Sequence, residues 1–84
     1  MNLFVANISR IVKDDALRGL FEKFGEVTSV KIVVDKYNGD SKGFGFVEMP
    51  DEKQAFDAIT KLTNAEFFGR KLVVSKARPK TSVL

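Results

Sequence analysis

The chain has 84 residues, of which 14 are basic and 11 acidic, giving a net charge of +3, and 44% are hydrophobic. It has no cysteine and no histidine, which excludes disulfide bonds, thiolate metal sites and histidine-based catalysis. One small domain fits this length, no apolar run approaches the roughly 18 residues of a membrane span, and the first residues lack a basic signal-peptide start, so we expect a cytoplasmic protein without a membrane segment.

The first third of the chain predicts a strand followed by a helix. Residues 3–8 are a short apolar segment typical of a strand. Between Asp14 and Phe24 the apolar residues recur on one helical face, with Asp14 as the expected capping residue and Gly25 as a left-handed end. Gly19 inside this helix costs about 1 kcal/mol relative to alanine, so we expect the first helix to be the softer one.

The middle of the chain predicts a β-hairpin. Residues 27–35 and 42–49 are the two strands, and Asn38-Gly39 between them supplies the positive φ angles of a tight turn. Tyr37 is expected at the tip of this loop.

The last third predicts a second helix and a last strand. Asp51 is the expected cap, with Gln54 three residues later in a capping-box arrangement. Asn64 stands where a left-handed turn is needed, and the last strand is predicted over residues 71–76. The buried stripe of the second helix is expected to be Ala55, Ala58, Ile59 and Leu62.

The most informative segment is the third strand, Lys42-Gly43-Phe44-Gly45-Phe46-Val47-Glu48-Met49. Because strand side chains alternate between two faces, its two phenylalanines share a face with Lys42 and Glu48. Lysine and glutamate are almost never fully buried without partners, so we expect this aromatic face to be exposed. The glycines on the opposite face would allow a helix to approach closely.

The octamer resembles the ribonucleoprotein octamer of the RNA recognition motif, with Met49 in place of the usual final aromatic residue. The second motif of that family is matched by Leu3-Phe4-Val5-Ala6-Asn7-Ile8. The resemblance covers residues 2–77 and is greatest to small bacterial RNA-binding proteins with a single motif. It implies one RNA recognition motif domain over residues 1–77, followed by a short basic tail over residues 78–84.

The order β-α-β-β-α-β predicts an α+β, ferredoxin-like sandwich, in which two helices cover one face of a four-stranded antiparallel sheet. Alternation assigns the helix-covered face to Leu3, Val5, Val30, Ile32, Gly43, Gly45, Val47, Met49, Leu72 and Val74. It assigns the open face to Phe4, Ala6, Lys31, Val33, Lys42, Phe44, Phe46, Glu48, Val73 and Ser75. Three phenylalanines should therefore form one exposed patch on neighbouring strands.

The other aromatic residues are expected to be structural. We predict core positions for Phe21, Phe24, Phe56 and Phe67. Phe68 precedes Gly69 where the family prefers a polar residue, so its exposure and a minor partner contact are left open.

The net positive charge lies at the end of the chain. Residues 76–84 contain three basic residues and no acidic one, and the remaining basic and acidic residues are equal in number. A short basic tail is by itself usually a solvated terminus. Beside an exposed aromatic sheet, it favours a nucleic-acid ligand.

Exposed aromatic rings edged by lysines suit unstacked bases and phosphates, so we predict binding of single-stranded RNA, with single-stranded DNA left open. The resemblance implies that Phe4 stacks the more 5′ base and Phe46 the next base. It also implies that Phe44 lies against the sugars and Lys42 meets a phosphate. Val73 predicts weak base discrimination at its position. The predicted RNA-binding residues are Phe4, Lys31, Lys42, Phe44, Phe46, Val73, Ser75, Lys76, Arg78 and Lys80.

Two other functions are known for relatives of this fold. An acylphosphatase-like enzyme needs a phosphate-cradling loop after the first strand, where Arg10 lies without a glycine-rich cradle. A peptide-binding relative would carry Arg-any-Phe where this chain has Arg70-Lys71-Leu72. We expect a monomeric, non-catalytic RNA-binding protein without cofactor or metal, acting in post-transcriptional regulation or RNA chaperoning, with peptide binding as the alternative. The preferred base sequence stays open.

Overall fold

The computed structural model describes residues 1–34, 37 and 41–77, with the backbone alone at residues 41 and 42. In chain order the elements are β1 (Asn2–Ala6), α1 (Asp14–Glu22), β2 (Ser29–Val34), β3 (Ser41–Glu48), α2 (Glu52–Leu62), β4 (Glu66–Phe67), β5 (Arg70–Lys71) and β6 (Val73–Lys76). Among these residues, neither helix has the length and apolar character needed to cross a membrane.

Four of the strands form one antiparallel sheet in the order β2-β3-β1-β6. The central pair is β1 and β3, in which Phe4 lies opposite Phe46 and Ala6 opposite Phe44. The predicted α+β, ferredoxin-like fold is therefore confirmed, including the adjacency of the two strands that carry the aromatic motifs.

The hydrophobic core lies between the helices and one face of the sheet. The strand residues assigned to this face are buried, apart from Val30 and Gly43, which are partly buried. Leu17 and Phe21 enter the core from α1, and Ala55, Ala58 and Leu62 enter it from α2. No polar or charged side chain is buried in the described part of the chain. The opposite sheet face consequently has no helix over it.

Helix α1 differs from its prediction at both ends. Lys13 is the N-cap and makes no side-chain capping bond, and the helix ends at Glu22. The predicted capping role of Asp14 is wrong, because its carboxylate instead accepts the backbone N–H of Ile32 at 3.1 Å. Strand β2 is at the edge of the sheet, so this N–H has no partner strand and takes a side-chain acceptor. Gly25 lies beyond the C-cap, where its missing side chain leaves room for Gln54 of α2.

Helix α2 begins as predicted, with the Asp51 carboxylate accepting the backbone N–H of Gln54 at 3.0 Å. The second half of the expected capping box is wrong, because the Gln54 side chain accepts the backbone N–H of Glu26 at 3.2 Å. This bond ties α2 to the loop before β2. Asn64 adopts a left-handed φ of 68°, as predicted.

One aromatic assignment to the core is wrong. Phe56 is 50% exposed because it follows Ala55 on α2 and lies outside the buried stripe. Phe21 is fully buried, and Phe24 and Phe67 are partly buried against the core.

The segment before the last strand forms a small hairpin that was not predicted. Phe68 and Gly69, with φ values of 53° and 82°, turn the chain between β4 and β5. Lys71 pairs with Glu66 in this hairpin, so the last strand of the main sheet starts at Val73. Strands of two residues have no readable alternation, which is why the pattern extended the last strand too far.

The close approach at Gly45 is to a strand. A side chain there would meet the carbonyl oxygen of Lys31 and Cα of Ile32 in β2, so the expected approach of a helix is wrong. The register of β2 against β3 shifts between Ile32 and Val34. The predicted Asn38-Gly39 turn lies outside the described residues.

Candidate nucleic-acid interface

Four open-face side chains form one row across the whole sheet. Strand pairing aligns Lys31 with Phe46, Phe46 with Phe4, and Phe4 with Ser75. A second row aligns Phe44, Ala6 and Val73 on the three strands nearest β6. Residues that are far apart in the chain therefore meet on one surface. We call this surface, formed by Phe4, Ala6, Lys31, Phe44, Phe46, Val73 and Ser75, the sheet face.

The three phenylalanine rings of the sheet face contact one another through Phe4. Its ring centroid lies 5.8 Å from that of Phe44 and 5.6 Å from that of Phe46, with interplanar angles of 41° and 55°. Phe46 is 42% exposed, and the other two rings are half-buried. Tilted contacts at these distances are favourable for aromatic pairs, so the rings hold one another in place while part of each remains accessible.

The aromatic residues stay on the open side because their neighbours anchor the strands. Leu3 and Val5 flank Phe4, and Val47 flanks Phe46, and all three aliphatic side chains are fully buried. Met49, the departure from the family octamer, is also fully buried just after β3, as its parity predicts. A one-residue slip would expose these aliphatic side chains and bury the rings, so the core determines the orientation of the rings.

The described charges on this side of the sheet are of both signs. Lys31 is exposed in β2 beside Phe46, and Glu48 is exposed one row further along β3. Lys31, Phe46 and Glu48 border a shallow depression of about 520 Å³. The ammonium group is placed to meet an anion passing the Phe46 ring, and the carboxylate gives the same region an acceptor.

The remaining basic candidates are not gathered on the sheet face. Lys76 is exposed, but it lies opposite the buried Leu3, so its side chain starts from the helix-covered side of the edge strand β6. The backbone of Lys42 is part of β3, and its side chain lies outside the described residues. Arg78 and Lys80 also lie outside them.

Asn7 and Arg70 were not predicted as site residues, and the structure links them beside the rings. Asn7 has a left-handed φ of 60° directly after β1. Its side-chain oxygen accepts hydrogen bonds from Nε and Nη2 of Arg70 at 3.0 and 2.6 Å, and its Nδ2 donates to the carbonyl oxygen of Lys71 at 2.6 Å. The fifth-position Asn of the hexamer motif was a signal for Asn7. The pairing depends on the unpredicted hairpin.

Metal and cofactor chemistry find no support in these residues. Across residues 1–34, 37 and 41–77, no three Asp or Glu side chains are grouped so as to hold a metal ion. The surface instead offers aromatic rings, hydrogen-bonding groups and positive charge, which are suited to noncovalent binding.

Comparison with known proteins identifies the family. The RNA recognition motif model matches residues 3–73. RbpA of Nostoc sp., which is named as an RNA-binding protein, is 41% identical over 80 residues, covering 95% of this chain and 78% of that protein.

Solved structures agree. The crystal structure of RNA-binding protein PG1 is 46% identical with a TM-score of 0.90, covering 95% of this chain and 99% of that one. The SXL-lethal protein/RNA complex is 32% identical with a TM-score of 0.88, covering 93% of this chain and 47% of that one. The chain belongs to the RNA recognition motif family.

Proposed function

We propose that this protein binds single-stranded RNA on the sheet face and has no catalytic activity. The observation that carries the proposal is the row Lys31, Phe46, Phe4 and Ser75, which crosses all four strands of a sheet face without a helix over it. Accessible aromatic rings on a rigid sheet stack unpaired bases, because every base has a π face. In a duplex those faces are already stacked, which favours a single strand.

The expected affinity requires charge as well as stacking. A base stacked on an aromatic ring contributes about 1–3 kcal/mol by alanine substitution, so two bases on Phe4 and Phe46 supply roughly 2–6 kcal/mol. Micromolar binding needs about 8 kcal/mol. Phosphate contacts must supply the difference, and Lys31 is the described lysine on the sheet face. Lys42, Lys76, Arg78 and Lys80 are the further candidates from the sequence.

The finer assignments rest on the same surface. Phe4 takes the more 5′ base, Phe46 the next base and Phe44 the sugars between them, as the family resemblance implies. RNA is favoured over DNA by the similarity to a structure that contains RNA. A monomer acting in the cytoplasm, in post-transcriptional regulation or RNA chaperoning, is the cellular role we propose.

The test compares two phenylalanines of similar exposure on different elements. Phe46, in β3, is 42% exposed, and Phe56, in α2, is 50% exposed. We expect Phe46→Ala to weaken RNA binding by about tenfold or more, because a stacked base loses its ring. Phe56→Ala should bind as the wild type does. Fluorescence anisotropy with a labelled RNA of random sequence measures both affinities.

Thermal melting provides the folding control. Phe46→Ala should keep its melting temperature, because the ring lies on an open surface and not in the core. Equal binding by Phe46→Ala and the wild type would contradict the proposal. Weaker binding by Phe56→Ala alone would point to the helical side and to the peptide-binding alternative.

A further inference from the structure

A shallow pocket of about 440 Å³ lies at one end of the sheet face, where β1 ends and β3 begins. Phe4, Ala6 and Phe44 contribute apolar surface to it, and Asn7, Arg10 and Arg70 contribute polar groups. The pocket is therefore continuous with two of the three phenylalanine rings. The aromatic motifs alone did not predict it, because Arg70 reaches it from the β4–β5 hairpin.

Arg70 is held in a defined position at this pocket. Two of its N–H groups donate to the same side-chain oxygen of Asn7, at 3.0 and 2.6 Å. The amide nitrogen of Asn7 in turn donates to the carbonyl oxygen of Lys71. The left-handed backbone of Asn7, a conformation that asparagine tolerates better than most residues, places its side chain for both contacts. Part of the entropy cost of fixing a long side chain is thus met before any ligand binds.

The guanidinium of Arg70 keeps both its charge and spare donors. Asn7 is neutral, and no carboxylate of the described residues lies within ion-pair distance of Arg70. A guanidinium has five N–H donors, of which two serve Asn7, so three are left for a ligand. A planar cation with several free donors is well suited to a phosphate.

We propose that this pocket is a subsite for a further nucleotide of the bound strand, with Arg70 contacting its phosphate and the apolar surface of Ala6 and Phe44 contacting its sugar or base. The proposal rests on RNA binding by the sheet face and extends it beyond the two stacked bases. Asn7 is a positioning residue here, since it acts on the ligand through Arg70.

The experiment uses labelled oligouridylates of increasing length and the full chain. The reference RNA is the shortest one whose binding Phe46→Ala weakens. Extending it should increase the affinity of the wild type, and Arg70→Ala should lose about tenfold of that increase while binding the reference RNA normally. The salt dependence for the longer RNA should become shallower by about 0.7, the value for one phosphate contact on a single strand.

The matched control is Arg18→Ala, which removes the same charge from α1. Arg18 donates to Glu22 and to the carbonyl oxygen of Val27, away from the pocket. This variant should keep the wild-type salt slope and length dependence. Thermal melting of all three variants checks the fold.

The outcomes separate the two proposals. If Phe46→Ala weakens binding and Arg70→Ala matches the wild type at every length, RNA binding by the sheet face stands and the subsite is wrong. If Arg70→Ala weakens short and long RNAs equally and lowers the melting temperature, the link to Asn7 is only structural and the subsite is again wrong. If neither variant weakens binding, both proposals fail.

Discussion

Single residues of β1 and β3 serve opposite sides of the same sheet. Phe4 and Phe46 lie on the open face, while Leu3 and Val47, their chain neighbours, are fully buried. The side-chain period of two makes this division strict, because moving one residue to the other face moves all of them. The position of each phenylalanine is thus maintained by the burial of its aliphatic neighbours.

Gly45, between Phe44 and Phe46, is required for a different reason. A Cβ at this position would lie 2.5 Å from the carbonyl oxygen of Lys31 and 2.9 Å from Cα of Ile32. These are backbone atoms of β2, so they cannot move without disturbing the β2–β3 pairing. We expect Gly45→Ala to lower the free energy of unfolding by about 1–3 kcal/mol, measured by urea denaturation.

Gly19 is the control for that substitution. It is exposed in α1, and a Cβ added there would have no atom outside its local surroundings within 4 Å. Gly19→Ala should raise the free energy of unfolding by up to about 1 kcal/mol, because alanine is the better helix former. Equal effects of the two substitutions would contradict the steric explanation for Gly45.

At the scale of elements, both edges of the sheet are tied to helical segments by side chains. The carboxylate of Asp14 accepts from Ile32 on β2, and the hydroxyl of Thr63 both donates to the carbonyl oxygen of Val74 and accepts its N–H on β6. Unpaired strand edges are sites of unwanted strand addition. These contacts satisfy backbone groups that no neighbouring strand reaches.

The two helices differ in how they begin. Asp51 caps α2 through its side chain, whereas Lys13 makes no such bond at the start of α1. Asp51→Ala should therefore lower the free energy of unfolding by about 1 kcal/mol, and Lys13→Ser should raise it by up to about 1 kcal/mol. Urea denaturation measures both changes. A destabilising effect of Lys13→Ser would show that the N-terminal backbone of α1 does not accept a side-chain cap.

At the scale of the whole molecule, charge and aromatic surface are separated along the chain. The net charge of +3 arises within residues 76–84, after most of the sheet has been formed. Phosphate contacts position a strand without reading its bases. The tail is therefore expected to add affinity and little specificity.

We expect the logarithm of RNA affinity to fall with the logarithm of salt concentration with an overall slope of about −2 to −4, at about −0.7 per phosphate contact. Deleting residues 78–84 removes Arg78 and Lys80, and should make the slope shallower by about 1–2 while weakening all RNA sequences alike. Salt titrations of the full-length and truncated proteins measure this change. Circular dichroism should show the helices and sheet retained.

An unchanged affinity and slope after truncation would identify the tail as a solvated terminus. A flat response of the full-length protein to salt would remove phosphate contacts from the binding mechanism altogether. In that case the rings of Phe4, Phe44 and Phe46 would have to hold the RNA with little electrostatic help.

The sequence by itself determined the element order, the two faces of the sheet and the residues of the aromatic patch. Alternation in β1 and β3 and the stripes of α1 and α2 are local patterns, so they are readable without a structure. Only the tertiary structure decided the role of Asp14, the exposure of Phe56 and the link between Asn7 and Arg70. These depend on atoms from distant segments meeting at an edge or corner of the fold, and no local period records such a meeting.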